Sequence, residues 1–506
     1  MRTRHTDNLV RGHTPRASHG APRRLLLPSL EERMAEGRPV ITRERALSIA
    51  KQVIDMSSAD KAMVYIRHIV KSTTSLASDR VRDTDDGDTL LVQIRTEFGD
   101  GNGQTYVSTN QLDEQALREM VTRADDVGKA MIGWNEQIHA HTWDEQDKYP
   151  ATNLYHQASV DALHTAREAT VPKIIETVSK EGFKASGFVG VMARADAILT
   201  NKGIVAFSEE TDCEVDVTCR PADGKTSGWA GTSQRDWAKI DPVKVAAESA
   251  DIAKKNMNVQ ALEPGRRTAI LTPAAVVQLM RFFVAHFDGY ASDDGRRGFS
   301  KLRDRSKGSK FKQRLFDPRV KVTTDPADPI GGFKAWFEDG YVNNPTTWVE
   351  NGELKFLSYG VNALDHGKAY SELPYGFRLH GGDTSIEQMI AQCEEGILVN
   401  RFSSVDILDW HTGMMTGVTR DGCFLVRHGK IDRPVKNFRF LTSPFFFFFN
   451  IMAMGQPERA VFGYAPWTDQ ERATSGYDDL EWPRRPMVVP PMMVRDFNFS
   501  ALVDAV

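Results

Sequence analysis

Residues 267–300 read RTAILTPAAVVQLMRFFVAHFDGYASDDGRRGFS, and the reading of the whole chain turns on them. A β-rich run, Thr268–Leu271, meets Thr272 and Pro273, a good helix cap followed by the residue best tolerated at the first helical position. Ala274, Val277, Leu279, Met280, Phe283, Val284 and Phe287 then recur at spacings that give a helix with a broad apolar face. The helix is expected to end near Asp288-Gly289, before a charged Asp-Asp-Gly-Arg-Arg-Gly loop. A strand, a capped helix and a charged loop make a suitable seat for catalytic groups. Yet this helix carries a single histidine, His286, and no glutamate.

The composition sets the frame for that oddity. A chain of 506 residues suggests two to four domains, and 41% hydrophobic with 26% charged residues is ordinary for a soluble protein. A net charge of -4 gives no electrostatic reason to expect nucleic acid or an anionic membrane as partner. Cys213, Cys219, Cys393 and Cys423 form no CxxC pair, which points to a reducing, cytoplasmic setting and no thiolate metal site. No apolar run is long enough to span a bilayer. The longest, Phe445–Phe449, reads as buried core or interface. Residues 1–40, rich in Arg, Pro and His, read as a flexible basic tail. The Arg23-Arg24-Leu-Leu-Leu-Pro run has too short an apolar core for an export signal, and Glu31-Glu32-Arg33 interrupts it.

The class is α+β. Helices are expected at 42–56, 111–133 (capped by Asn110), 159–181 and 241–257. Strands are expected at 62–70, 89–98 and 106–109, then in a meander at 187–193, 197–200, 204–208 and 214–219. Leu262-Glu-Pro-Gly265 marks a junction. This gives an N-terminal α+β domain over 41–262, divisible into 41–135 and 155–260, with antiparallel sheets and long helices. A mainly antiparallel β domain with a few helices follows over 263–506. Within it, Asn351-Gly352 is a strong hairpin signal, and a helix over 384–393 is led by Asp383 and closed by Gly396. Strands at 397–402, 413–419 and 423–428 follow, with turns at Asp421-Gly422 and Gly429.

Few motifs carry chemistry. There is no HExxH or HExxxH, no GxSxG, no P-loop and no dinucleotide fingerprint. Gly99–Gly103 lies between strands rather than before a helix, so it is no phosphate cradle. His139 and His141 form an HxH pair without a third ligand nearby, and read as a solvated loop. Arg378 and His380, before a glycine pair, are candidates for fixing a carboxylate or a substrate backbone. The preferred alternative makes them a strand end and turn with solvated basic groups. Asn400 and Arg401 could line a cleft, and equally Arg401 could pair with an aspartate such as Asp406.

Several phrases then resemble one family. LLVQIRTEFGDGNGQTYVSTNQLDEQALREMVTRA, ALEPGRRTAILTPAAVVQLM, VTTDPADP, TWVENGELKFL, GGDTSIEQMIAQCEEGILVNRF, HTGMMTGVTRDGCFLVRHGKIDRPVKNFRF and VRDFNFSALVDAV follow the order and spacing of the TldD/PmbA (TldD/TldE) family over about residues 41–500. The resemblance implies metallopeptidases and their non-catalytic partners. In TldD-type subunits a zinc-binding HExxxH lies on the helix after the strand, with a cysteine near the C-terminus as third ligand. Here that segment is Leu271-Thr-Pro-Ala-Ala-Val-Val-Gln-Leu-Met280, and 465–506 contains no cysteine. The chain is thus similar to the TldE/PmbA-type subunit. The resemblance implies no cofactor or catalytic residue in this chain, and zinc in a TldD-like partner of a heterodimer. It implies hydrolysis of peptides or amides by the pair, in some members on antibiotic intermediates. Ser292–Lys301, Arg378–Asp383 and Asn400–Phe402 are the expected walls of a shared chamber. Two other readings stand beside this one: a metal-independent hydrolase or lyase built on Arg378, His380 and Asp383, and a scaffold that only stabilises a partner.

Overall fold

The computed structural model describes residues 27–99, 101, 103–134, 143, 145–300, 308–360, 376–461 and 486–504. The Arg23-Arg24 run, His139, His141 and Lys301 lie outside the described residues. Part of the expected tail is folded. Ser29 and Glu32 close a capping box on α1 (Leu30–Ala35), and Arg33 is buried, bonding to the carbonyls of Pro28 and Pro39 and to Asp88. A tail reading built on local composition misses such a long-range carboxylate.

The first sheet has six strands in the order β3-β2-β1-β4-β5-β6. They are β1 (Lys61–Ala77), β2 (Arg80–Phe98), β3 (Gly103–Thr109), β4 (Lys184–Thr200), β5 (Val205–Arg220) and β6 (Gly228–Gln234), each antiparallel to its neighbour. Several are longer than expected. The acidic 83–88 segment shows no hydrophobic alternation, but it pairs with β1 through Lys71–Asp85 and Ser72–Asp86 contacts. The meander's expected breaks fall on Arg194, Asp196 and Glu209–Asp212. Arg194, Asp196, Glu210 and Asp212 stay inside continuous strands because their charges are paired.

Helices α2 (Arg43–Met56), α3 (Glu114–Ala130), α4 (Gln157–Ala162), α5 (Ala166–Lys180) and α6 (Pro242–Lys255) cover one face of this sheet. Ile49, Val53, Leu117, Val121, Ile174 and Val178 meet Val64, Ile66, Val92 and Val191 there in one core. Asp113, not Asn110, caps α3, because its carboxylate accepts from the Ala116 N–H. The expected helix over 159–181 is two, broken at Leu163-His164-Thr165.

β7 (Gly265–Leu271) leads into α7 (Pro273–Val284) and a short 3₁₀ turn over Ala285–Phe287. The segment past Asp288-Gly289 is not loop at first. Asp288 accepts from the Ala291 N–H and starts α8 (Gly289–Asp293). A small sheet combines β8 (Val322–Thr324), β9 (Thr346–Glu350), β10 (Glu353–Leu354), β11 (Phe377–Leu379), β17 (Glu458–Arg459) and β18 (Met487–Val489). The larger one holds β7, β12 (Glu395–Asp409), β13 (Met414–Arg427), β14 (Lys430–Pro434), β15 (Phe438–Thr442), β16 (Ile451–Met454) and β19 (Met492–Leu502). Its order runs β12-β7-β19-β15-β13, and β12 also pairs with β13, so this ladder closes on itself. Most pairs are antiparallel, while β7–β12 and β11–β18 are parallel.

Three local expectations fail here. Asp421-Gly422 is no turn: both residues adopt positive φ within one continuous β13, opposite a register shift at Val399/Arg401. This is a bulge, which re-aims side chains without ending the strand. Ser385, with Gln388 completing a capping box, starts α9 (Ile386–Gln392) in place of Asp383, and Gly396 already belongs to β12. The phenylalanine run forms α10 (Pro444–Phe447) and its end, with Phe447 and Phe448 buried and Phe446 and Phe449 facing out.

Candidate functional site

β7 lies between β12 and β19, so its end delivers Thr272 to a fixed point. The Thr272 hydroxyl donates to the Asn400 carbonyl and accepts from the Ala275 N–H, which sets the entry of α7. Nine of the twelve α7 residues are buried, and among them only Gln278 is polar. Phe283 sits at the centre of an aromatic cluster, with ring centroids 5.2 Å from Phe287, 6.0 Å from Phe299, 5.6 Å from Phe316 and 5.1 Å from Phe448. The helix is occupied by packing along almost its whole length.

His286 follows one turn later and is fully buried between Phe299, Trp410 and Phe445. Its Nδ1 accepts from the Gly298 N–H at 3.2 Å, which assigns the neutral ring's proton to Nε2, an atom with no hydrogen-bond partner among the described residues. Burial first, then the Arg297 and Lys310 cations, push its pKa down to about 3. A zinc site needs about three protein donors around the ion. Among the described residues no three His, Cys, Asp or Glu side chains stand close enough for that. The residues on α7 and its following turn do not fit zinc.

The imidazole's low pKa has a consequence for stability. The unfolded chain protonates His286 near pH 6.5, whereas the folded chain holds it neutral to about 3. Its contribution is therefore complete above about pH 6.5 and is lost as pH falls towards the folded value. A His286→Phe variant should lose less stability than the parent between pH 7 and pH 5, measured by urea denaturation; parallel pH profiles would contradict this.

The sequence candidates are placed as follows. Arg378 forms a two-point pair with Asp328, Nε to Oδ2 at 2.6 Å and Nη2 to Oδ1 at 2.8 Å. Asp328 also accepts from the N–H groups of Ile330 and Gly331. Burial raises the Asp328 pKa, but these hydrogen bonds outweigh it and leave the carboxyl below its ordinary range. His380 Nε2 lies 2.9 Å from the Thr323 hydroxyl, and Asp383 accepts from the Gln456 amide. The three side chains thus bond to three different neighbours.

Asn400 donates to the carbonyls of Trp229 at 2.8 Å and Asp421 at 2.9 Å. Arg401 pairs with Asp421, not with Asp406, and lies over the Trp229 ring at 4.8 Å. The bulge explains the change of partner, since it turns Asp421 inwards, where Ser227 also donates to it, while Asp406 is exposed. Asn400, Arg401 and Asp421 therefore tie the closed sheet to the edge of the first sheet.

The sequence reading missed a second polar layer. The face of the first sheet away from its helices carries Tyr65, Arg67, Arg194 and Asp196. Lys334 and Glu338 cover them from the 325–343 segment. Asp196 accepts from the Tyr65 hydroxyl at 2.7 Å, and pairs with Arg194 at 2.7 Å, Arg67 at 3.3 Å and Lys334 at 3.8 Å. Nearby, Asp212 pairs with Arg459 and, at 3.8 Å, Arg235, and Arg95 reaches Asp339 at 2.8 Å. A signal was present in the sequence. Arg194 and Asp196, then Glu210, Asp212, Glu214 and Asp216, recur every second residue between small or apolar neighbours, the mark of one polar strand face.

Residues 264–501 match the PmbA/TldA metallopeptidase C-terminal domain. Over those residues the chain belongs to the TldD/PmbA family. Solved structures share the fold across nearly their full length. TldE from Thermococcus kodakarensis superposes with a TM-score of 0.73 at 13% identity, covering 90% of this chain and 99% of its own. A Thermotoga maritima protein, named as a proposed modulator of a DNA gyrase, gives 0.74 at 13% identity over 90% and 99%. A Bacteroides thetaiotaomicron protein of similar name gives 0.73 at 16% over 91% and 100%. At these identities the superpositions speak for the fold alone. No curated relative matches the chain in sequence.

Proposed function

We propose that this TldD/PmbA chain is a non-catalytic, TldE/PmbA-type subunit. It pairs with a TldD-like subunit whose HExxxH helix holds zinc, and the pair hydrolyses peptide or amide bonds in the cytoplasm, including those of a peptide or antibiotic intermediate. One observation carries this reading. The strand–helix unit that bears HExxxH in TldD-type subunits is kept as β7–α7, and its helix is filled by side chains that pack and cannot ligate.

An apolar surface supports the pairing. Phe446, Phe449 and Met452 are exposed on one side, and Leu408, Trp410 and Met414 at the tip of the β12–β13 hairpin. The Ser443 hydroxyl donates to the Thr412 carbonyl, so the two groups are neighbours. Apolar side chains of this size gathered on a surface are what a stable partner covers.

Metal content and hydrolysis of unfolded peptides should be measured for the chain alone and mixed with an HExxxH-bearing homologue. The expected result is no stoichiometric zinc and no turnover alone, with turnover in the mixture. Full activity of the zinc-free chain alone would overturn the reading. The rival built on Arg378, His380 and Asp383 predicts the reverse, with His380→Ala abolishing activity while the pair still assembles.

A further inference from the structure

A cleft of about 270 Å³ opens between the first sheet and the segment that covers its charged face. Tyr149, Leu154, Tyr155, Phe207, Glu209 and Trp336 line it. Among the described residues, three buried polar atoms of this lining find no hydrogen-bond partner: Glu209 Oε1, the Tyr155 hydroxyl and Trp336 Nε1. Leaving such an atom unsatisfied costs about 1–3 kcal/mol, so three on one cleft describe what is missing from it. Glu209 asks for a cationic donor. Trp336 can only donate, and Tyr155 can donate, so both are matched by a carbonyl oxygen.

The aromatic walls narrow the cation further. Rings of Trp and Tyr present a negative face that attracts an ammonium, as the Trp336 ring already does with Lys334 Nζ, 4.5 Å from its centroid. Arg38 does not fill the role from within. Its guanidinium stands 3.5 Å from Oε1 without hydrogen bonding, and its side chain is 54% exposed. An exposed pair of this kind contributes at most about 1 kcal/mol. Burial outweighs the Arg38 cation, and Glu44 adds to it, so the Glu209 carboxyl stays above its ordinary range. The carboxylate is under-compensated as it stands.

An ammonium with a carbonyl next to it, in a cleft just below the usual 300–1,000 Å³ of small-molecule sites, is the end of a peptide. We propose that this cleft binds the free amino terminus of a peptide, Glu209 holding the ammonium while Trp336 Nε1 and the Tyr155 hydroxyl hold the first carbonyl. The proposal rests on the preceding reading only in taking a peptide as the substrate. It adds that this chain grips one end of it.

The test is calorimetric titration of the full chain, alone, with alanyl-alaninamide, its N-acetyl derivative and n-butylammonium. Saturable binding of the free dipeptide amide is expected. Acetylation and Glu209→Gln should each weaken it by about tenfold or more, and Tyr155→Phe several-fold, since each removes one charged or polar partner. Equal binding of the acetylated form, unchanged affinity in Glu209→Gln, or no saturable binding would overturn the proposal. Butylammonium binding as tightly as the dipeptide amide would also overturn it, in favour of a lysine side chain as the ligand. No turnover and no partner enter this experiment. Its failure leaves the pairing intact, and failure of the pairing leaves the cleft intact.

Discussion

Replacing Asp196 with alanine should destabilise the chain by about 3–5 kcal/mol, the range for breaking a buried ion pair by removing one partner. The carboxylate is 2% exposed and faces Arg194, Arg67 and Lys334, with the Tyr65 hydroxyl bonded to it. Without it, three cations share a buried region, and the acids that also pair with them, Glu210 and Glu338, are 18% and 33% exposed. The pH dependence should follow the same charge. Burial pushes the Asp196 pKa up, but Arg194, Lys334 and Arg67 pull it further down, well below the ordinary carboxylate range. With the unfolded value near 3.9, its contribution is complete above about pH 4 and drains away as pH falls through the folded value. Urea denaturation should therefore show the parent losing its advantage over Asp196→Ala only on acidification. A loss under about 1 kcal/mol at neutral pH would mean that the pair is screened or replaced.

That prediction lies on the part of the molecule least legible beforehand. Strand character was readable at 62–70 and 89–98 because apolar residues alternate there. Charges at Arg194, Asp196 and Asp212 looked like strand ends, since a charge is normally solvated. Whether a charged residue ends a strand or crosses an interior depends on its partner. Here Arg194 and Asp196 pair with each other within one strand, but the cations that complete the burial, Lys334 for Asp196 and Arg459 for Asp212, come from distant parts of the chain. Arg401 makes the same point: the sequence allows it an ion pair with an aspartate such as Asp406, and a bulge in another strand makes Asp421 that aspartate. The family and the emptiness of the helix over 273–287 were legible because both are local: ordered phrases in one case, missing ligand types in the other. The cleft at Glu209 was not, because its walls come from three separate segments.

The helix itself gives the second large effect. Phe283→Ala should cost about 3–5 kcal/mol, as deletion of a large buried aromatic does when its neighbours cannot collapse. Phe283 has no exposed surface, and Phe287, Phe299, Phe316 and Phe448 all meet its ring. Those rings come from the turn after α7, the segments around 299 and 316, and the end of α10, so one side chain joins four stretches of chain. The size of the loss, read by denaturant unfolding, tests packing. A second readout separates packing from chemistry. If α7 only supports a site completed by the partner, the variant mixed with an HExxxH-bearing homologue should retain turnover in proportion to its folded, assembled fraction. Gln278→Ala, at the one buried polar position on α7, should then also leave turnover per assembled pair unchanged. A collapse of turnover in either variant at full assembly would place reacting groups on this helix and reverse the reading of its apolar face.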